Sequence, residues 1–189
     1  MVKLKIMNEL RPSLWRTCRV LANEPRLQLI RYLVEGGKST VASLAMRVNI
    51  PPNLASTYLR AISARGLIQA EPKGRHVYYI AMPNVNVHGT AELLNALKHA
   101  FGTEMKNKEI IHYTTAFTHQ RRIAIVKALQ HRPMQPAELA ARTSIPMTAL
   151  LRHLSKLSNR DMAEVTKEHY RLAIPNNVYG HTLLLAALN

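Results

Sequence analysis

The chain has 189 residues, with 26 Lys and Arg against 11 Asp and Glu (a formal net charge of +15), and 47% of it is hydrophobic. That much apolar material excludes a disordered basic tail, and the length suits one medium domain or two of about 90 residues. A single cysteine, Cys18, excludes an internal disulfide or a multi-thiolate metal site.

No stretch reaches the roughly 18 uncharged apolar residues of a membrane span. The first twenty residues mix charges into their apolar positions, unlike a secretory signal. The expectation is a soluble, cytoplasmic protein of prokaryotic type whose positive charge meets a polyanion. The charge is spread along the chain, with 14 Lys/Arg against 5 Asp/Glu in residues 1–100 and 12 against 6 in residues 101–189. This is the pattern of two basic folded units, and a basic surface kept for solubility is the alternative.

In chain order, residues 12–21 read as a helix. Asn23 is an N-cap for a second helix with Pro25 in its first turn, which ends at Gly36-Gly37. Ser39 or Thr40 opens a short third helix that runs through Arg47. The turn Asn49-Ile50-Pro51 leads to a fourth helix from about Pro52 to Arg65, stopped by Gly66. Ala55, Leu59 and Ile62 repeat at i, i+4, i+7 and so share a buried face. Residues 67–71 and 76–81 read as strands across the turn Pro72-Lys73-Gly74-Arg75, and a last helix covers about 90–101.

Residues 102–189 follow the same plan. Helices are expected at 104–117, 119–130, 136–142 and 146–159, then a shorter hairpin at 162–173 and a closing helix at 181–188. Leu150, Leu154 and Leu157 repeat the buried spacing. The two halves also repeat in sequence. RLQLIRYL (26–33) aligns with RIAIVKAL (122–129), and YYIAMPN (78–84) with YRLAIPN (170–176). Between them, Leu44, Ala45, Arg47, Ile50, Pro51, Leu59, Ser63 and Arg65 fall on Leu139, Ala140, Arg142, Ile145, Pro146, Leu154, Ser158 and Arg160. GTAELLNAL (89–97) aligns with GHTLLLAAL (180–188). Four blocks in one order, with a register that drifts from 96 to 91, read as a tandem duplication.

Helix, helix, turn, helix, hairpin is the winged helix-turn-helix order. The expected fold is therefore mainly α with small β-hairpins: a tandem winged helix-turn-helix of two pseudo-symmetric copies, residues 1–101 and 102–189. Residues 53–81 (NLASTYLRAISARGLIQAEPKGRHVYYIA) resemble the recognition helix and wing of ArsR-like winged-helix transcriptional regulators. Ser56, Leu59, Gly66, Leu67, Gly74, Arg75, Val77, Tyr78 and Tyr79 match that pattern, while Tyr58 stands where His is usual. The second copy keeps Arg152-His153-Leu154 but has Lys167-Glu168-His169 in place of the Gly-Arg wing tip. The resemblance implies dimerisation through first and last helices and binding to an inverted repeat. A fused pair then implies a single-chain pseudo-dimer, or a homodimer of such chains, with the last helix of the first copy and the first of the second at its centre. The paired cysteines and carboxylate/His clusters of the family's metal sensors are not in this sequence, so no metal and no cofactor is expected.

The fourth helix of each copy is expected in the major groove. Asn53, Ser56, Thr57 and Arg60 in the first, and Thr148, Leu151, Arg152 and Lys156 in the second, lie off the buried face. Arg152 suits a bidentate contact to guanine and Asn53 one to adenine. Leu151 suits either a thymine methyl or packing at a domain contact. Lys73, Arg75 and His76 at the wing tip suit the DNA backbone or minor groove, or are an ordinary charged turn. Arg47 and Arg142 suit phosphate contacts or helix-end carbonyls. Glu168 would repel phosphate, so the halves are expected to contribute unequally.

Gly36-Gly37-Lys38-Ser39-Thr40 resembles the tail of a P-loop but follows a helix and lacks the first glycine. His88 and His99 flank one helix, and His112 and His119, seven apart, would share a face if their helix continued. No catalytic motif is found, and no enzymatic activity is expected. The reading is a sequence-specific double-stranded DNA-binding regulator, most simply a repressor, on an imperfect palindrome. A winged-helix protein docking module and a non-specific architectural or RNA-binding protein are the alternatives, and an effector is left open.

Overall fold

A computed structural model describes residues 13–189. Helix α1 covers Leu14–Leu21, and the predicted start of that helix at Pro12 lies outside the described residues. Helix α2 (Glu24–Gly36) opens where the Asn23 side chain accepts a hydrogen bond from the Arg26 N–H, with Pro25 in the first turn. A two-residue strand β1 (Ser39–Thr40) leads into α3 (Val41–Val48), whose first turn is capped by the Thr40 hydroxyl accepting from Ser43 N–H. Asn49 adopts a left-handed conformation (φ 57°), and α4 (Pro52–Ser63) follows. Strands β2 (Gln69–Lys73) and β3 (His76–Ile80) form the hairpin, and α5 (Thr90–Gly102) closes the first half.

The second half starts later than its periodicity predicts. Glu104 has φ 56°, a left-handed value that an α-helix cannot contain, so α6 covers only Asn107–Thr114 and passes into a 3₁₀ turn at Thr115–Phe117. Then come α7 (Gln120–Leu129), α8 (Pro136–Thr143), α9 (Met147–Ser158), β4 (Ala163–Thr166), β5 (His169–Leu172) and α10 (Val178–Leu188). Helix α10 begins three residues before the predicted 181, because the Asn177 side chain caps it by accepting from Gly180 N–H at 2.7 Å.

Neither third strand was expected. Strand β1 pairs antiparallel with β3, giving the order β1-β3-β2. In the second half the same place is held by one bridge, with Met134 and Tyr170 exchanging N–H to carbonyl bonds of 2.9 and 2.8 Å. Segments this short carry no periodic signal and form only where a partner strand supplies the hydrogen bonds.

One hydrophobic cluster runs through both halves, from Leu27, Leu59 and Leu94 to Phe117, Leu154 and Leu184. Helix α5 packs along α10, and α6 packs against α10, α2 and α1. The last helix of the first half and the first of the second thus each meet the opposite half, α5 through α10 and α6 through α1 and α2. A buried hydroxyl contact of 2.7 Å joins Thr114 on α6 to Tyr179 on α10. Gly180 permits the approach there, since a Cβ at that position would lie 2.8 Å from Pro175 and 3.1 Å from Tyr113.

Cys18 lies in this core with no exposed surface, and burial pushes its thiol up to about 12. Native protein is therefore expected to resist a thiol reagent such as DTNB at pH 8. One equivalent should react only as denaturant unfolds the chain, which absorbance titration against denaturant reads directly.

Candidate nucleic-acid interface

Both fourth helices bury one face and free the other. In α4, Ala55, Leu59 and Ile62 are fully buried, while Asn53, Thr57 and Arg60 are exposed and Ser56 is half-buried. In α9, Leu150, Leu154 and Leu157 are fully buried, and Thr148, Leu151, Arg152, Ser155 and Lys156 are exposed. Positions i, i+4 and i+8 (Thr148, Arg152, Lys156) make one outward row. Leu151 is 45% exposed, so it does not pack at a contact between domains.

Each fourth helix is aimed by the same turn. Asn49 and Ser144 take left-handed φ values of 57° and 54°, and Pro51 and Pro146 then stand at the helix N-caps. The second helix of each half is also anchored alike. An Arg26 Nη donates to the carbonyls of Arg19 (3.3 Å) and Val20 (3.2 Å) at the end of α1. Arg122 donates to the carbonyls of Thr115 (2.9 Å) and Ala116 at the end of α6 and its 3₁₀ turn, and to the Thr118 hydroxyl (2.7 Å). Donors and carbonyls correspond one for one at the shift of 96 read from the sequence.

The halves differ beneath the fourth helix. Arg26 lies over the Tyr58 ring, 4.9 Å from its centroid. At the matching place the His119 and His153 rings are 4.6 Å apart. His119 caps α7, its Nδ1 accepting from Arg121 N–H at 3.1 Å. His153 is buried, and among the described residues neither ring nitrogen has a hydrogen-bond partner. Burial lowers its pKa to about 4, helped by His119 and by the positive charges of Arg122, Arg121 and Arg152. His119 is lowered by burial and the same arginines, with Lys156 adding to the repulsion. His112 and His119 share no helix face, because a 3₁₀ turn separates α6 from α7 between them. Among the described residues no three His, Cys, Asp or Glu side chains gather where they could hold a metal ion.

Arg121, Arg152 and Lys156, all exposed, lie close enough to His119 for their charges to act on it. Arg121 was not singled out from the sequence. Its place beside Arg122, in the longest basic run of the chain, was the available signal.

The two wing tips differ in turn type. Gly74, with φ 61°, is the first of two loop residues, where a type II′ turn needs glycine. Beside it Lys73, Arg75 and His76 are all exposed. In the second wing Lys167 (φ 47°) and Glu168 (φ 65°) are both left-handed, as in a type I′ turn built without glycine. Cross-strand Glu164 and Arg171 pair at 2.8 Å, which neutralises that arginine.

Arg47 is exposed, but its guanidinium lies over the Tyr32 ring at 5.0 Å, beside Gly36. Arg142 is exposed at the end of α8. Among the described residues neither bonds a helix-end carbonyl. Arg60 Nε donates to its own helix at Ser56 O, 3.3 Å away. Arg60, Lys73, Arg75, Arg142, Arg152 and Lys156 pair with no carboxylate among the described residues, so their charge is available to an outside anion.

Among the described residues no helix is long and apolar enough to cross a membrane. No curated protein matches the chain. Residues 117–166, from the 3₁₀ turn through α7, α8, α9 and β4, match a protein family described as a helix-turn-helix domain. Residues 117–166 are thus similar to a helix-turn-helix domain, and β4 at the end of the match opens the second hairpin, the element order of a winged helix-turn-helix.

Proposed function

We propose that the chain is a sequence-specific double-stranded DNA-binding regulator of transcription, built from two duplicated winged helix-turn-helix units, residues 1–101 and 102–189. It acts in the cytoplasm as a single-chain pseudo-dimer, without enzymatic activity, and represses by occupying an imperfect palindrome. The observation that carries this reading is the outward row Thr148, Arg152 and Lys156 on α9, whose cations no carboxylate pairs among the described residues. Such a row faces base edges and phosphates at once when a helix lies in the major groove. Support for duplication comes from the matched Arg26 and Arg122 anchors and the matched turns before α4 and α9. The likeness to ArsR-like regulators rests on the first recognition helix and wing.

The two units place different side chains outward, Asn53, Ser56, Thr57 and Arg60 against Thr148, Leu151, Arg152 and Lys156. Unequal half-sites follow. The Lys73, Arg75 and His76 tip serves the DNA backbone or minor groove in the first half, and Arg142 serves a phosphate in the second.

Selection of duplexes from a random pool, followed by anisotropy titration over a range of salt, tests this. The expected result is one enriched, unequal inverted repeat and a steep salt slope. Arg152→Ala is expected to lose about 1–3 kcal/mol on the selected site and to discriminate less at one base pair. Arg75→Ala should weaken all duplexes alike and shorten the salt slope by about one. Equal binding to unrelated duplexes would replace the reading with an architectural role. No binding at low salt would remove it.

A further inference from the structure

The outward faces of α4 and α9 differ in chemistry as well as sequence. Met147 and Leu151, one turn apart on α9, are 41% and 45% exposed. At the shift of 95 that relates the two helices, their counterparts are Pro52 and Ser56. Thr148, Arg152 and Lys156 run beside them along the whole helix, and Arg121 adds charge at the start of α7. An apolar ridge bordered by unpaired cations therefore projects from a convex helix.

The occupant must be apolar at its centre and anionic at its edges. The thymine C5-methyl group fits that description, because it is the apolar feature of the major groove and phosphates flank it on both sides. A protein partner fits less well. Specific protein interfaces bury about 800 Å² on each side, and two side chains on a ridge that carries cations throughout supply neither the area nor the apolar rim.

We infer that α9 reads 5-methyl groups of thymine through Met147 and Leu151, whereas α4 reads its half-site through the polar side chains of Asn53, Ser56 and Thr57. The inference rests on the DNA-binding reading above and specifies the base class of one half-site.

Uracil differs from thymine only by that methyl group, which gives the test. A duplex enriched from the random pool by the full chain is remade with uracil for thymine in one half-site at a time. Uracil in one half is expected to weaken binding about fourfold per methyl lost, from the transfer free energy of a single carbon. Uracil in the other half should change it less than about twofold by the same measure. Leu151→Ser together with Met147→Ser should bind the thymine and uracil duplexes equally, near the wild-type affinity for the uracil duplex, and Leu151→Ser alone should lose part of the thymine preference. Thermal unfolding reports that these exposed substitutions leave the fold intact.

Equal wild-type affinity for both duplexes overturns the inference, as does a Leu151→Ser, Met147→Ser double variant that keeps the full thymine preference. Enrichment of sites lacking thymine in both halves overturns it too. All three leave the DNA-binding reading standing. Failure to bind any duplex at low salt overturns both.

Discussion

Replacing Arg122 with Met is expected to destabilise the protein by roughly 2–4 kcal/mol, since buried acceptors lose their donor. For a chain of this length that corresponds to a fall of roughly 5–15 °C in Tm. Arg122 is only 4% exposed, yet no carboxylate pairs with it among the described residues. Its guanidinium is held by the carbonyls of Thr115 and Ala116 and by the Thr118 hydroxyl. Those carbonyls end a helical segment, where the backbone dipole presents its negative pole. Burial lowers the Arg122 pKa, and Arg160 adds to the effect, but the group remains a cation because arginine starts so high.

Methionine fills similar volume and removes the buried charge, so the cost isolates the stranded carbonyls. Arg26→Met is the internal control. Arg26 makes the matching bonds to Arg19 and Val20 but is only half-buried, so water can replace it. Its loss should cost under about 1.5 kcal/mol, the usual net worth of a hydrogen bond. Equal losses at the two positions, measured by thermal or urea unfolding, would show that burial does not separate these otherwise equivalent anchors.

Acidification is expected to weaken the fold through His153. Its pKa is about 4 in the folded chain against an ordinary 6.5, because burial and the neighbouring charges of His119, Arg122, Arg121 and Arg152 disfavour the imidazolium. The unfolded chain therefore binds a proton that the native state refuses between pH 6.5 and 4. His153 contributes its full stability above pH 6.5 and loses it as pH falls through that window. The integrated effect is roughly 3 kcal/mol, at about 1.4 kcal/mol for each pH unit that separates the two values. Urea midpoints at pH 7.5 and 4.5 measure it. His153→Tyr, which restores the residue type found at Tyr58 in the first half, should flatten this part of the profile. A slope unchanged in that variant would assign the acid sensitivity to carboxylates instead. Glu138 is one, held below the usual carboxylate range by Arg132 and the Gln135 N–H.

Much of the fold was legible in the sequence because its signals are local. Asn23 before Glu24-Pro25, Thr40 before α3 and the Asn-Ile-Pro turn act within four residues, so helix starts could be placed without knowing any partner. The i, i+4, i+7 spacing in α4 and α9 identified which faces are buried, and hence which side chains remain outside. The repeat was legible too, since both copies must satisfy the same backbone geometry.

The tertiary structure alone decided the rest. The break after α5 at Glu104 is a left-handed residue that the apolar periodicity runs through without a mark. Strand β1 and the Met134–Tyr170 bridge depend on partners about forty residues away, and the pairing of α5 with α10 depends on helices about ninety apart. The burial of His153 against His119, and the charges of Arg121, Arg152 and Lys156 that act on His119, involve residues from separate helices. Local composition specifies which residues can form an element and which face it hides. Long-range packing specifies which of those faces meet, and so which charges end up side by side.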